Sequence, residues 1–261
     1  MKWEEITYYD IRNLDKNKTV VLLPVGSIEV HGPHLPLGTD ALSIHRVCIS
    51  VAEKTKSLVL PPLFYAYVPE NRNFPGTITL SAETFLKTLE EICDEVYRNG
   101  FKKILIVNGH GGNIRPLRLF LREMMAKRKK YELYIYLHTW AVIEDTIREV
   151  SETSVHEHAC EIETSYMLYL FPRLCKMDRV SGEAKLGKKK IVENVEAMTD
   201  WISYAICGYV GDPTKATVEK GKILFEKWVE GLVKIVREIK ENTEYEKIMS
   251  EYYERAFGNN Y

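Results

Sequence analysis

The chain has 261 residues, 45% of them hydrophobic and 28% charged, and its 36 Lys and Arg balance 37 Asp and Glu to a formal net charge of -1. A chain of this length can bury a sizeable core, so one domain over residues 1–261 is expected. The near-neutral balance gives no pull toward nucleic acid, no run approaches the ~18 apolar residues of a membrane span, and five scattered cysteines without a CxxC pair indicate neither a disulfide framework nor a zinc knuckle.

The N-terminus, MKWEEITYYDIRNLD, is acidic and has no signal-peptide core, so a cytoplasmic protein is expected. Residues 19–25 form a continuous apolar run, as a strand covered on both faces would. Pro24 marks its end as an edge or an irregular point. Residues 41–54 carry Leu42, His45, Ile49 and Ala52 at helical spacing. Residues 58–62 are a second, shorter strand. Ser81 opens a helix that Asn99-Gly100 stops. Residues 103–107 are a third strand, Pro116 sits in the first turn of the next helix, and residues 131–137 are a fourth strand. Residues 181–190, rich in Gly and Lys, are the best candidate for a mobile loop. The charged, periodic stretch 215–253 reads as a pair of surface helices. Strands alternating with helices predict a layered α/β fold, a three-layer α/β/α sandwich with a mostly parallel central sheet.

Ligands of open α/β sheets bind beyond the carboxyl ends of the strands, and two unusual polar segments fall there. One is Gly26-Ser-Ile-Glu29-Val-His31-Gly-Pro-His34-Leu-Pro-Leu-Gly-Thr-Asp40; the other is Asn108-Gly-His110-Gly-Gly-Asn113. Glu29 and His31, two apart, face one side of an extended segment. Asp40 stands where a helix begins, and His110 lies in a glycine-rich turn. Two imidazoles and two carboxylates suit Zn²⁺, Mn²⁺ or Fe²⁺. A carboxylate such as Asp40 could bridge two ions about 3.5–4 Å apart. Plainer roles exist for each residue: Asp40 and Ser81 as helix caps, His34 as a satisfied loop histidine, His110 as a turn stabiliser. Clustering at two strand ends favours the site.

A third segment reads His156-Glu157-His158-Ala159-Cys160-Glu161-Ile162-Glu163. If it is helical from His158, then His158, Glu161 and Ser165 share a face and Glu163 points elsewhere. On that reading His158 is an acid–base or carbonyl-polarising residue and Glu161 a further ligand. The spacing does not match the HExxH zinc motif.

GSIEVHGPHLPLGTD, NGHGGN and HACEIETS closely resemble the three signature segments of the creatininase family, the creatinine amidohydrolases, and FPGTITL at 74–80 resembles a further family segment. The likeness runs from residue 20 to about 170. It implies an α/β/α fold, a homo-oligomer of hexamer type and a centre of two divalent ions acting on a small-molecule substrate. By that likeness Glu29 and His110 would serve one metal and His31 the other, Asp40 would bridge them, and His158 would be the catalytic histidine. The creatinine-cleaving type carries a glutamate ligand where this chain has Gly112, so Glu161, with Glu163 as the alternative, is expected to supply the carboxylate. That type also has a substrate-covering tryptophan where this chain has Ser154, which argues against creatinine as the substrate. The expected activity is hydrolysis of a small cyclic amide, formamide or related carbonyl compound. Ring opening of an oxidised inositol by C–C cleavage beside a ketone, a non-hydrolytic isomerase or lyase reaction, and a binding protein with a degenerate site are the alternatives.

Overall fold

The computed structural model describes residues 1–258. In chain order its elements are α1 (Tyr8–Asn13), β1 (Val20–Val25), α2 (Thr39–Thr55), β2 (Leu58–Val59), α3 (Ala82–Arg98), β3 (Lys103–Asn108), α4 (Ile114–Ala126), β4 (Glu132–Tyr136), α5 (Glu144–Val150), α6 (Glu161–Leu170), α7 (Asp200–Tyr204), α8 (Val218–Glu241) and α9 (Glu244–Phe257). Among the described residues the strands form one parallel sheet in the order β2-β1-β3-β4.

Alternation along β1 divides two cores. Val20 and Leu22 face a layer of α2, α6 and α8, with Ile44, Val47, Tyr166, Leu224 and Trp228. Val21, Leu23 and Val25 face α3 and α4, with Phe85, Leu89, Leu117 and Phe120. Both faces of the sheet are therefore covered, which is why its strands read as unbroken apolar runs. The expected α/β/α layering is present.

Two local expectations need correction, and the structure decides a third, the choice between an edge and an irregular point at Pro24, for the irregular point. β1 is central, so Pro24 is not on an edge. Leu60 N donates to Leu22 O and Leu63 N to Pro24 O, three residues on one strand against two on the other. The proline thus faces an irregular stretch of the neighbouring chain, where its missing N–H leaves no regular ladder bond unmade. α8 is not a surface helix, because Leu224, Trp228, Leu232 and Val236, spaced by four, are buried against α6 and α2. Deleting a fully buried tryptophan such as Trp228 typically costs about 3–5 kcal/mol. Its last turn is held by the buried Lys103 ammonium, which donates to the carbonyls of Ile239 (2.8 Å) and Asn242 (2.7 Å). Finally, α6 begins at Glu161, not at His158. Ala159 has φ 47°, in the left-handed region, and His158 pairs as a bridge with Val210. α9 does lie on the surface, with none of its residues buried.

The cap reading of Ser81 holds. Ser81 is an N-cap whose Oγ accepts from Thr84 N at 3.1 Å. The 181–190 segment has no helix or strand and is tied to α7 through Gly187 N to Tyr204 O (2.9 Å) and Ser203 Oγ to Lys188 O (2.7 Å). No described helix is long and apolar enough to cross a membrane.

Candidate metal centre

The carboxyl ends of β1 and β3 are stitched together. Gly109 N donates to Val25 O at 2.8 Å, and Asn113 Nδ2 donates to Gly26 O at 3.1 Å and Asn108 Oδ1 at 3.2 Å. α2 starts directly above this junction. A Cβ at Gly26 would overlap the backbone of Ala41, so glycine is what lets the helix approach closely enough to deliver Asp40.

Glu29, His31, Asp40 and His110 converge there, all buried. His110 Nδ1 lies 2.8 Å from Glu29 Oε1 and 2.9 Å from Asp40 Oδ2. Asp40 Oδ1 lies 3.0 Å from His31 Nε2. Ser27, fully buried, donates to Asp40 Oδ2 at 2.8 Å and reaches Glu29 Oε1 at 3.2 Å. Two groups have ligand geometry and share Asp40: Glu29, Asp40 and His110, and His31, Asp40 and Glu163. A third, Glu29, His31 and His158, overlaps both.

Glu163 falls in one of these candidate groups, and Glu161 falls in none of them. Glu161 accepts from Glu152 N (3.0 Å), Thr153 N (2.9 Å), Thr153 Oγ1 (2.7 Å) and Lys220 Nζ (2.5 Å). The sequence reading carried helical phase back to His158, whereas α6 begins at Glu161. The left-handed turn at Ala159 resets that phase, and Glu163 then faces the centre and accepts from Ala159 N.

His158 also lies at the centre. Its ring centroid is 4.4 Å from that of His31 and 5.7 Å, edge-on, from that of Trp201. Its Nε2 is 2.7 Å from Val30 O. A carbonyl can only accept, so Nε2 carries the proton and Nδ1 is the acceptor. His34 remains outside the ligand groups, with Nε2 2.9 Å from Thr164 Oγ1, and is a hydrogen-bonded loop histidine.

Electrostatics shows what the donor set requires. Burial opposes charge on His31, but the adjacent Asp40 carboxylate outweighs it and lifts the imidazole to about 10. His110 is raised well above its usual value against the same penalty, by Glu29 and Asp40. Burial, then the neighbouring His31 charge, holds His158 down to about 4. Burial pushes Glu163 up to about 7. Glu29, Asp40 and Glu163 thus crowd their carboxyl groups around His31 and His110, and their ion-pair partners among the described residues include no Lys or Arg. A buried set of this kind lacks positive charge. Divalent cations bound by neutral imidazoles and carboxylates would supply it, so the residues fit a metal centre.

Sequence reasoning passed over Ser27, Asn71, Glu70 and Trp201. Asn71, only 2% exposed, donates to Glu29 Oε2 at 2.5 Å and accepts from Trp201 Nε1 at 2.8 Å. Its closeness to the family-like FPGTITL segment was a usable signal; Trp201 carried none. A cavity of about 740 Å³ opens over the centre, lined by Glu70, Arg115, His158, Lys189, Met198 and Trp201 among others.

A family model described as creatinine amidohydrolase matches residues 4–236. The chain belongs to the creatininase family. It is 29% identical to creatinine amidohydrolase of Pseudomonas putida, over 91% of this chain and 95% of that protein. It is 28% identical to the 3-dehydro-scyllo-inosose hydrolase of Thermotoga maritima, over 92% and 83%. A solved creatininase structure with manganese superposes with a TM-score of 0.79 at 28% identity, covering 92% of this chain and 99% of that one. Family and buried donor set together make this creatininase-family member a metal-dependent hydrolase.

Proposed function

We propose that this creatininase-family protein hydrolyses a small, uncharged carbonyl compound, a cyclic amide or formamide other than creatinine, at a centre of two divalent ions. Glu29 and His110 would hold one ion, His31 and Glu163 the other, and both would draw on Asp40. The observation that carries this is the division of Asp40, with Oδ1 toward His31 and Oδ2 toward His110. Bound there, the ions supply activation of water and polarisation of a carbonyl oxygen.

The chain's own residues do the rest. His158, held neutral by burial and oriented by Val30 O, has Nδ1 available to take a proton and pass it to the leaving nitrogen. Trp201, braced by Asn71, walls the cavity beside His158 and limits water. Cations at the rim are paired with acids: Arg115 with Glu196, Lys189 with Glu157, and Lys190 with Asp200. A neutralised rim favours an uncharged substrate over a phosphorylated one. Ring opening of a ketocyclitol is the second reading, supported by the extended likeness to the inosose hydrolase.

The homo-oligomer, with a hexamer as its expected size, is part of this reading. It is supported by exposed Ile191, Val192, Val195, Met198, Ile202 and Ile206, of which Met198 lines the cavity. A cytoplasmic protein of one domain remains our proposal. The test is a panel of cyclic amides, formamides and ketocyclitols with Mn²⁺-loaded protein in ¹⁸O-water. Turnover with label in the product supports hydrolysis, and a product without label sinks it.

A further inference from the structure

By the family resemblance, Gly112 stands where the creatinine-cleaving type would carry a glutamate. The structure places neither Glu161 nor Glu163 on that side of the centre: Glu161 binds Lys220, and Glu163 groups with His31 and Asp40. What faces Gly112 is a different carboxylate. A Cβ at 112 would overlap His110 Nε2 and stand 2.9 Å from Glu70 Oε1.

His110 has a need at that point. Its Nδ1 faces the ligand group, 2.8 Å from Glu29 and 2.9 Å from Asp40. Its Nε2 is buried and has no hydrogen-bond partner among the described residues. An imidazole that ligates through one nitrogen carries its proton on the other, and a buried N–H without an acceptor is costly. Ligating histidines are usually held by a carboxylate or carbonyl at that second nitrogen.

We propose that Glu70 is the positioning carboxylate of His110, accepting its Nε2–H and fixing the ring so that Nδ1 faces the ion shared with Glu29 and Asp40. The absent side chain at 112 leaves the room for this pair. Delivery is by the turn Pro69–Asn71, and the same turn anchors Glu29 through Asn71 Nδ2. One turn therefore braces both a carboxylate and an imidazole of the same half-site. This proposal rests on the metal reading above.

The test is Mn²⁺ binding to the full, metal-stripped chain by titration calorimetry. Glu70→Ala should weaken one of two equivalents by about 10–100-fold and leave the other near its wild-type affinity. Glu70→Gln keeps an acceptor oxygen without the charge and should fall between; it carries the test alone if the alanine variant does not fold. A second readout is the His110 Nε2–H resonance in Zn²⁺-loaded, ¹⁵N-histidine-labelled protein, which should be strongly downfield in the wild type and shifted or lost in Glu70→Ala. Wild-type affinity at both equivalents in both variants, or an unmoved resonance, overturns the proposal while the metal centre stands. A wild-type chain that takes up no Mn²⁺ overturns the metal reading and this proposal together.

Discussion

Glu161 and Glu163 sit two positions apart on α6, are 0% and 6% exposed, and have opposite fates. Glu161 lies in a closed pairing of backbone N–H groups, a hydroxyl and the Lys220 ammonium. Although burial opposes it, Lys220 and Thr153 hold its pKa below the usual value. Glu163 shares its surroundings with Asp40 and His31, and burial lifts it to about 7. The first region answers each negative charge with a fixed cation or donor. The second accumulates carboxylates and answers them with imidazoles, which can exchange a proton for a metal ion. Counter-charge therefore separates a buried acid held by fixed partners from a candidate ligand better than burial does.

Removing the shared ligand gives the largest contrast between the regions. Asp40→Ala should abolish Mn²⁺ binding at both positions, and activity should fall by more than the roughly 10²–10⁴-fold expected for loss of proton transfer alone. Metal analysis of the dialysed variant checks this, and full occupancy would show that Asp40 is not shared. His158→Ala should come next, with turnover down by about 10²–10⁴-fold while both ions stay bound. Undiminished turnover would remove His158 from proton transfer. Loss of metal would instead assign it to the overlapping Glu29–His31–His158 group.

The two glutamates test the comparison directly. Glu163→Gln should lose affinity at one of the two Mn²⁺ equivalents with little change in the metal-free melting temperature. Glu161→Gln should leave both equivalents intact and cost about 1–3 kcal/mol of stability, because the Lys220 and Thr153 contacts lose their charge assistance. Denaturant melts beside Mn²⁺ titrations measure both. The reverse pattern would reinstate Glu161 as the ligand.

Much of this was legible in the sequence because the information was local. Apolar runs ending in glycine-rich polar segments placed Glu29, His31, Asp40 and His110 at strand ends, and the sheet brought those ends together. Period and phase failed where a single backbone dihedral intervened: Ala159 at φ 47° turned Glu163 inward, and a helical projection could not see it. The buried face of α8 was hidden by its many charges, since an amphipathic helix presents the same composition whether its apolar stripe meets a core or a partner. Asn71, Glu70 and Trp201 join the site only through tertiary contacts, Asn71 to Glu29 and Trp201 to Asn71, across separations of 42 and 130 residues. No spacing rule reaches that far.

The smallest effect, and the one that probes the imidazole-for-metal exchange itself, is pH dependence. In the metal-free protein His31 is raised from 6.5 to about 10, with Asp40 overcoming the burial penalty. Its contribution to stability is therefore complete below about pH 6.5 and lost as pH climbs through 10. His158 and His34 behave oppositely. Burial, then the His31 charge, lowers both from 6.5 to about 4, so their contributions are complete above about 6.5 and fade as pH falls through 4. Considering these three groups, the metal-free chain should be most stable near pH 6.5 and should lose melting temperature toward pH 10. Mn²⁺ ligation requires a neutral His31, so binding between pH 7 and 9 should release protons, visible as a dependence of the binding enthalpy on buffer ionisation heat. Saturating Mn²⁺ should also flatten the alkaline decline, because the ion replaces the proton as the counter-charge of Asp40. Parallel alkaline declines with and without Mn²⁺, and no proton release, would mean that the centre does not trade protons for ions, and the contrast with the Lys220-paired region would lose its physical basis.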